Sequence, residues 1–407
     1  MASQPAKTGS GSAAPIPKAP PKKIRGVFWN DPQVRGIFYQ ILAVGLIAAA
    51  VWWLASNTIA NLNSRNIATG FHFLSREAGF EIGENLVEYS PADTYFKALL
   101  VGVLNTLRIA VIGIILATII GTIVGICRLS KNWLVAKLAS IYVEVVRNIP
   151  LLLQLFFWYS MITEFLPGPR DALKPLPGFF LSNRGLKFPL PAQEFAYDLA
   201  MVLFAVGLIA AVAVSRWAKK RQNATGQPFP TLWASIGLIL GLPIAGWLIG
   251  GAPLTFNAPV LQGFNFVGGA TLTPEFTALL LGLVIYTACF IAEIVRSGIQ
   301  AVGKGQTEAS MSLGLSKGQT LRLIIMPQAL RVIVPPMTSQ YLNITKNSSL
   351  AVAIGYPDIV SVANTTLNQT GQAIEGVAII MAVFLTISLS IAAFMGWYNK
   401  HIALVER

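Results

Sequence analysis

Long apolar segments alternate with short polar ones along most of this chain. Eight segments contain about 20 mostly apolar residues, the length at which a helix crosses the hydrocarbon core of a bilayer. They cover residues 37–55, 98–127, 138–163, 196–217, 232–249, 273–295, 332–355 and 376–397. The pattern predicts an all-α integral membrane protein with about eight transmembrane helices.

Composition supports this class. Apolar residues make up 54% of the chain and charged residues 12%, with a mean hydropathy of +0.62, whereas soluble domains carry about 25% charged residues. A typical soluble globular enzyme is therefore excluded. The 30 Lys and Arg outnumber the 17 Asp and Glu, but they lie between apolar segments rather than on one basic face, so nucleic acid is not an expected partner.

The positions of Lys and Arg predict the orientation. Of the 30, 20 lie in the termini and in the loops on the same side, and 7 lie in the opposite loops. Cytoplasmic loops carry the excess of such residues, which predicts that both termini are cytoplasmic. Residues 1–36 are rich in Ser, Ala, Pro and Lys. They predict a disordered cytoplasmic tail before an extra N-terminal transmembrane helix at 37–55.

Catalytic and metal-binding chemistry has little support in the sequence. The two cysteines, Cys127 and Cys289, and the two histidines, His72 and His401, do not have metal-ligand spacing. The phosphate loop G-x-x-x-x-G-K-[ST] is absent from the sequence, so ATP hydrolysis is not expected from this chain. We predict no catalytic residue, no metal site and no cofactor bound by this chain.

The polar segment 296–331 carries the most specific pattern. The run GQTEASMSLG (305–314) predicts a short helix that ends at Gly314. Ser316 and Gln319 have capping-box spacing for a second helix, which should stop near Pro327. Two short helices with exposed apolar residues predict a surface that docks onto another protein.

The same segment resembles the cytoplasmic signature of bacterial ABC importer permeases, which reads E-A-A, three residues, Gly, nine residues, I-x-L-P. The matching positions are Glu308, Ala309, Ser310, Gly314, Ile324 and Pro327, with Ser310 in place of the second alanine and Met326 in place of leucine. Three further runs resemble the polar-amino-acid (His/Glu/Gln-type) branch: VRNIPLLLQLFFWY (146–159), EIVRSGIQAVGKGQ (293–306) and NITKNSSLAVAIGYPDI (343–359). The extra helices and the long outer insertion resemble the general L-amino-acid permeases of the Aap/Bzt type.

The resemblance implies a type I importer permease core over 95–400, interrupted at about 165–271 by an insertion with two extra transmembrane helices. It implies a subunit in the bacterial inner membrane that moves polar or general L-amino acids by alternating access. The implied partners are an ABC ATPase dimer that holds ATP and Mg, a second related permease that makes a heterodimer, and a periplasmic amino-acid-binding protein. Segment 296–331 would be the coupling loop. Its ATPase-coupling residues would be Glu308, Ala309, Ser310, Gly314 and Leu315.

Polar residues inside two apolar segments are candidates for the substrate pathway. Gln340, Asn343 and Asn347 fall on one helical stripe, with Lys346, Ser348 and Ser349 beside or after it. Such a face suits a zwitterionic amino acid, with Lys346 for the carboxylate. Interhelical hydrogen bonding is the competing interpretation.

The 138–163 segment adds a second polar group, Glu144, Arg147 and Asn148, at i, i+3 and i+4 on one face. These residues predict either a structural ion pair between Glu144 and Arg147 or a part of the pathway. The segment's uninterrupted apolar run, 151–162, is only about 18 Å long as a helix, so a crossing must pass through Pro150.

Arg108 lies ten residues into the 98–127 segment. It can extend toward the outer interface or attract a substrate carboxylate.

The alternative function is an ion-gradient-driven secondary amino-acid transporter. That class is usually built from inverted repeats with broken helices. No repeat is visible here, and segment 296–331 would have no explanation.

Overall fold

The computed structural model describes residues 32–64, 69–192 and 194–402. Twelve α-helices lie within these residues: α1 Pro32–Ser64, α2 Tyr95–Cys127, α3 Trp133–Asn148, α4 Leu151–Thr163, α5 Phe195–Thr225, α6 Thr231–Ile249, α7 Pro274–Gln300, α8 Lys304–Ser312, α9 Lys317–Thr320, α10 Met326–Asn347, α11 Ile359–Thr370 and α12 Ala373–Ile402. The chain divides into two compact units, Met1–Thr69 and Gly70–Arg407. Most of the predicted tail lies outside the described residues, and α1 already begins at Pro32.

Six of the described helices (α1, α2, α5, α6, α7 and α12) are long and apolar enough to cross a membrane. Two bent pairs raise the number to as many as eight, which confirms the predicted all-α membrane class. In the first unit, α1 carries an apolar stretch over Val34–Asn61. The predicted crossing at 332–355 belongs to the second bent pair. In that pair α10 continues through a 3₁₀ helix, Ser348–Ile354, and meets α11 at 53°.

The predicted single crossing at 138–163 is divided into two helices. α3 and α4 meet at an angle of 104°, because Pro150 supplies no N–H and its ring disfavours helical geometry at the preceding residue. Gln154 on α4 is buried, and its amide nitrogen donates to the carbonyl oxygens of Val146 and Ile149, both at 3.0 Å. These bonds satisfy carbonyl groups that the break frees, as a membrane interior requires.

The core is built around the close contact of α2 with α7. A Cβ atom added at Gly121 would lie 2.6 Å from the Cβ of Ile291, and one at Gly125 would lie 2.7 Å from the carbonyl oxygen of Ala292. The two backbones therefore touch only because these positions carry no side chain. α4, α10 and the 3₁₀ helix Ser348–Ile354 complete the main buried cluster.

The insertion contains short strands that the sequence analysis did not predict. They are β1 Phe180–Ser182, β2 Gly185–Phe188, β3 Leu190–Pro191, β4 Phe256–Asn257, β5 Val260–Gln262, β6 Asn265–Val267 and β7 Ala270–Leu272. The antiparallel order β1-β2-β7 and the pair β3-β4 join the beginning of the insertion to its end. Between these strands, α5 and α6 form a helical hairpin. Its close contact is shown at Gly207, where an added Cβ would lie 2.6 Å from the carbonyl oxygen of Leu238.

Candidate coupling surface and polar pathway

The segment between α7 and α10 folds as two short helices joined by a tight turn. Gly314 follows α8 with a φ of +78°, a conformation that glycine adopts without the strain of a Cβ atom. The capping box predicted for α9 is present: Ser316 Oγ accepts from the Gln319 N–H at 3.4 Å, and Gln319 Oε1 accepts from the Ser316 N–H at 2.9 Å. Local sequence therefore determines where α8 stops and where α9 begins.

The coupling residues predicted from the signature divide into exposed and buried ones. Glu308, Ala309 and Gly314 are exposed, and Leu315 is half-buried. Ser310 is buried: its Oγ donates to the Thr307 carbonyl oxygen at 2.8 Å and lies 3.0 Å from Thr320 Oγ1. Ser310 therefore holds α8 against α9 instead of presenting its hydroxyl at the surface.

The most prominent apolar side chain of this segment was missed by the signature. Leu313 is 82% exposed, and Met311 and Leu323 are also exposed. An exposed apolar group on a protruding turn is the type of surface that a partner covers. The sequence signal for Leu313 was its apolar side chain within the polar run 305–314, beside Gly314. We call the exposed surface of α8, the turn and α9 the coupling surface.

The expectation that the second helix stops near Pro327 is wrong. A π-helical turn over Leu321–Ile325 connects α9 to α10, and Met326 donates its N–H to the carbonyl oxygen of Leu321, five residues earlier. The wider turn accommodates Pro327, which lies in the first turn of α10, where no backbone N–H is needed. The coupling surface is thus continuous with α10 through helical backbone.

An ionic network that the sequence analysis did not identify lies where α7 leads toward this segment. The Glu293 carboxylate pairs with the guanidinium groups of both Arg128 and Arg296. Arg128 Nε also lies 3.4 Å from Ser140 Oγ on α3, and Arg296 Nη1 donates to Gln300 Oε1 at 2.7 Å. The network fixes the ends of α2 and α7 to each other.

Only some of the pathway residues predicted on α10 and just after it are exposed. Asn343 and Lys346 are exposed, whereas Gln340 and Asn347 are half-buried. No carboxylate within the described ranges pairs with Lys346. The two serines bond the backbone instead. Ser348 is buried and donates to the Thr345 carbonyl oxygen, and Ser349 donates to that of Lys346, both at 2.7 Å.

The Glu144–Arg147 ion pair is not formed. No ion pair in the described part of the chain joins these residues, although both are exposed at the end of α3. The Arg147 guanidinium instead lies 5.3 Å from the centre of the Phe290 ring. Asn148 turns back on its own helix, and its Nδ2 donates to the Glu144 carbonyl oxygen at 2.7 Å. The carboxylate of Glu144 is left free to meet another group.

Arg108 is paired with a carboxylate from the segment before α2. Its Nη1 lies 3.0 Å from Glu84 Oε2, and its guanidinium lies 4.1 Å from the centre of the Phe276 ring. The Thr273 hydroxyl donates to the other carboxylate oxygen of Glu84. Burial raises the pKa of Glu84, while the bonds from Thr273 and Arg108 oppose that rise. The Arg108 guanidinium is therefore held by a carboxylate of the segment before α2 and is not available for a substrate carboxylate.

An acidic cavity adjoins this pair. It has a volume of about 400 Å³, and its lining includes Glu81, Glu84, Thr273 and Glu275. The described residues contain no group of three His, Cys, Asp or Glu side chains arranged to hold a metal ion.

Comparison with known proteins identifies the family of this chain. Residues 112–404 match the family described as the binding-protein-dependent transport system inner membrane component. The chain belongs to this family. It is therefore a multi-pass inner-membrane subunit of a transport system, and the resemblance inferred from segment 296–331 is confirmed.

Three relatives are similar over nearly their whole length. The general L-amino acid transport system permease protein AapQ of Rhizobium johnstonii is 53% identical over 94% of this chain and 98% of its own length. The putative amino-acid ABC transporter permease protein YhdX of Escherichia coli is 52% identical, over 93% and 96% respectively. The glutamate/glutamine/aspartate/asparagine transport system permease protein BztB of Rhodobacter capsulatus is 44% identical, over 93% and 96%.

Proposed function

We propose that this chain is the transmembrane subunit of an ATP-driven importer that carries polar or general L-amino acids into the bacterial cell. The observation that carries the proposal is the coupling surface, a folded but uncovered helix–turn–helix whose Leu313 is 82% exposed. The printed names of the three relatives support the substrate class.

The driving force comes from a partner. An ABC ATPase dimer holds ATP and Mg²⁺, and its closure displaces the coupling surface. Because α9 continues through the π-helical turn into α10, a displacement of α9 is transmitted to α10 along helical backbone. Glu308 and Ala309, exposed on α8, belong to the ATPase contact, while Ser310 keeps α8 and α9 moving as one body.

The substrate path lies along the exposed polar face of α10. Lys346 supplies a cation for the amino-acid carboxylate, and the side-chain oxygen of Asn343 supplies an acceptor for the ammonium group. A charged side chain of a membrane helix is costly where it faces lipid, so another subunit must cover this face. We assign that role to a second, related permease, which makes the transporter a heterodimer. Gln340, Asn347 and the α3 group of Glu144, Arg147 and Asn148 complete the candidate pathway.

Orientation follows from the same arrangement. The coupling surface must face the cytoplasm to reach an ATPase, which agrees with the distribution of Lys and Arg. The strands of the insertion and the cavity beside Glu84 then face the periplasm, where an amino-acid-binding protein delivers the substrate.

An uptake experiment separates this function from ion-gradient-driven transport. The chain is reconstituted with its permease, ATPase and binding-protein partners, with ATP on the ATPase side and the binding protein on the other. We expect uptake of labelled amino acids that stops when ATP is removed and continues when ion gradients are collapsed. Uptake that persists without ATP and stops with the gradient would contradict the proposal.

A further inference from the structure

The inserted hairpin ends in a group of four cations that the proposed transport cycle does not use. α5 has 31 residues and is therefore about 46 Å long, or about 16 Å longer than the hydrocarbon core. Its last turns carry Arg216, Lys219, Lys220 and Arg221, which we call the basic cluster. All four side chains are exposed.

Three of the four cations of the basic cluster lie away from the helix face that packs on α6. The buried face of α5 is marked by Gly207, Ala211 and Ala218, and Gly207 contacts the α6 backbone at Leu238. At 3.6 residues per turn, Arg216 and Lys220 lie about 160° around the helix from Ala218 and Lys219 about 100°. These three cations therefore face away from α6, whereas Arg221 lies about 60° from Ala218, beside the buried face.

No carboxylate of the insertion's later part neutralises these charges. Between Asp198 and Glu275 the sequence contains no Asp or Glu. Within the part of the chain that the structure describes, no ion pair involves the basic cluster. Four uncompensated cations on about one and a half turns repel one another, so an anionic partner is favoured.

Aromatic side chains surround the basic cluster. The Trp217 and Phe229 rings meet edge to face at 5.4 Å, and the Arg221 guanidinium lies 5.5 Å from the Trp217 ring centre. Trp217 is half-exposed, and Trp233 at the start of α6 is 73% exposed. Tryptophan is enriched at the level of lipid headgroups, and the apolar exposed surface of α5 before Arg216 ends at this level.

We propose that the basic cluster is a binding site for anionic phospholipid headgroups of the cytoplasmic leaflet. Groups of four or more Lys and Arg directly cytoplasmic of a membrane helix attract anionic lipid, and each cation near the surface strengthens binding by about fivefold. The inference rests on the proposed orientation, in which the α5–α6 turn is cytoplasmic. It assigns the insertion a lipid-binding role that transport by the core does not require.

The test compares lipid selectivity in the assembled importer. The complex is placed in nanodiscs of phosphatidylcholine with a minor fraction of spin-labelled phosphatidylglycerol, and the relative affinity for the two lipids is measured at low and high salt. The variant carries Arg216→Gln, Lys219→Gln, Lys220→Gln and Arg221→Gln. The matched control, Arg216→Lys with Arg221→Lys, keeps the charge.

We expect the parent and the control to prefer phosphatidylglycerol, with a preference that salt weakens, and the neutral variant to lose at least about tenfold of it. A neutral variant whose preference stays within about twofold of the parent would overturn the proposal. So would a variant that keeps its lipid preference but loses the ATPase subunit, because the cluster would then be a protein contact.

A second measurement uses only the parent protein, which guards against a variant that fails to fold. Photoreactive phosphatidylglycerol should label peptides within 216–229, and labelling confined to other parts of the chain would overturn the proposal. Neither readout depends on transport. An importer that fails the uptake experiment can therefore still pass this one, and the reverse also holds.

Discussion

The pairing of Arg108 with Glu84 makes a specific prediction about stability. Glu84→Gln removes the charge that faces the Arg108 guanidinium and leaves that cation partly buried. Breaking a buried ion pair at one partner costs about 3–5 kcal/mol. The Arg108 side chain is 22% exposed to solvent, and its guanidinium lies over the Phe276 ring. We therefore expect a cost somewhat below this range, about 2–3 kcal/mol.

The double-mutant cycle isolates the pair. Arg108→Met leaves the Glu84 carboxylate, whose side chain is 9% exposed, without its cation. Replacing both residues removes both charges at once, so the double variant should cost less than the sum of the two single variants by at least about 1 kcal/mol.

Thermal unfolding in detergent can be followed through the thiol of Cys289, which is fully buried, in a Cys127→Ser background. A loss of 2–3 kcal/mol should lower the Tm of Glu84→Gln by about 2–4 °C in a chain of this length. If the costs of the two single variants add to that of the double variant within about 0.3 kcal/mol, the two side chains do not interact and the prediction is wrong.

Two further predictions follow from the site and the core. Gly121→Ala should lower the free energy of unfolding by about 1–3 kcal/mol, because the α2–α7 contact leaves no space for a Cβ atom. In the control Gly237→Ala the added Cβ atom meets nothing within 4 Å, so the Tm should stay unchanged or rise. Lys346→Met should lower uptake at least about tenfold without changing assembly, whereas the exposed control Lys400→Met should leave uptake unchanged; equal uptake in both would remove Lys346 from the pathway.

The membrane helices could be predicted because their signal is local. A stretch of about 20 apolar residues defines a span wherever it occurs, and the capping box of Ser316 and Gln319 lies within four residues. The end of the second coupling helix was predicted wrongly for a physical reason. Pro327 normally stops a helix, and nothing in the sequence showed that a π-helical turn would accommodate it.

Contacts between residues that lie far apart in the sequence could not be predicted in this way. Glu84 lies 24 positions before Arg108, in a segment without regular periodicity, and their pairing depends on how that segment folds over α2. The strands of the insertion are only two to four residues long, and the pairs β2–β7 and β3–β4 connect segments on either side of the whole hairpin. The burial of Ser310 likewise depends on Thr320, which lies on the next helix.

The contact between the coupling surface and an ATPase is tested most directly by cross-linking. A photoreactive group is attached to Leu313→Cys in the assembled importer, and a matched group to Leu254→Cys in the insertion, where the native side chain is 76% exposed. We expect position 313 to cross-link to the ATPase subunit with a yield that changes when ATP is added, and position 254 not to cross-link to it. Cross-linking of position 254 but not position 313 to the ATPase would show that α8, the turn and α9 are not the ATPase contact.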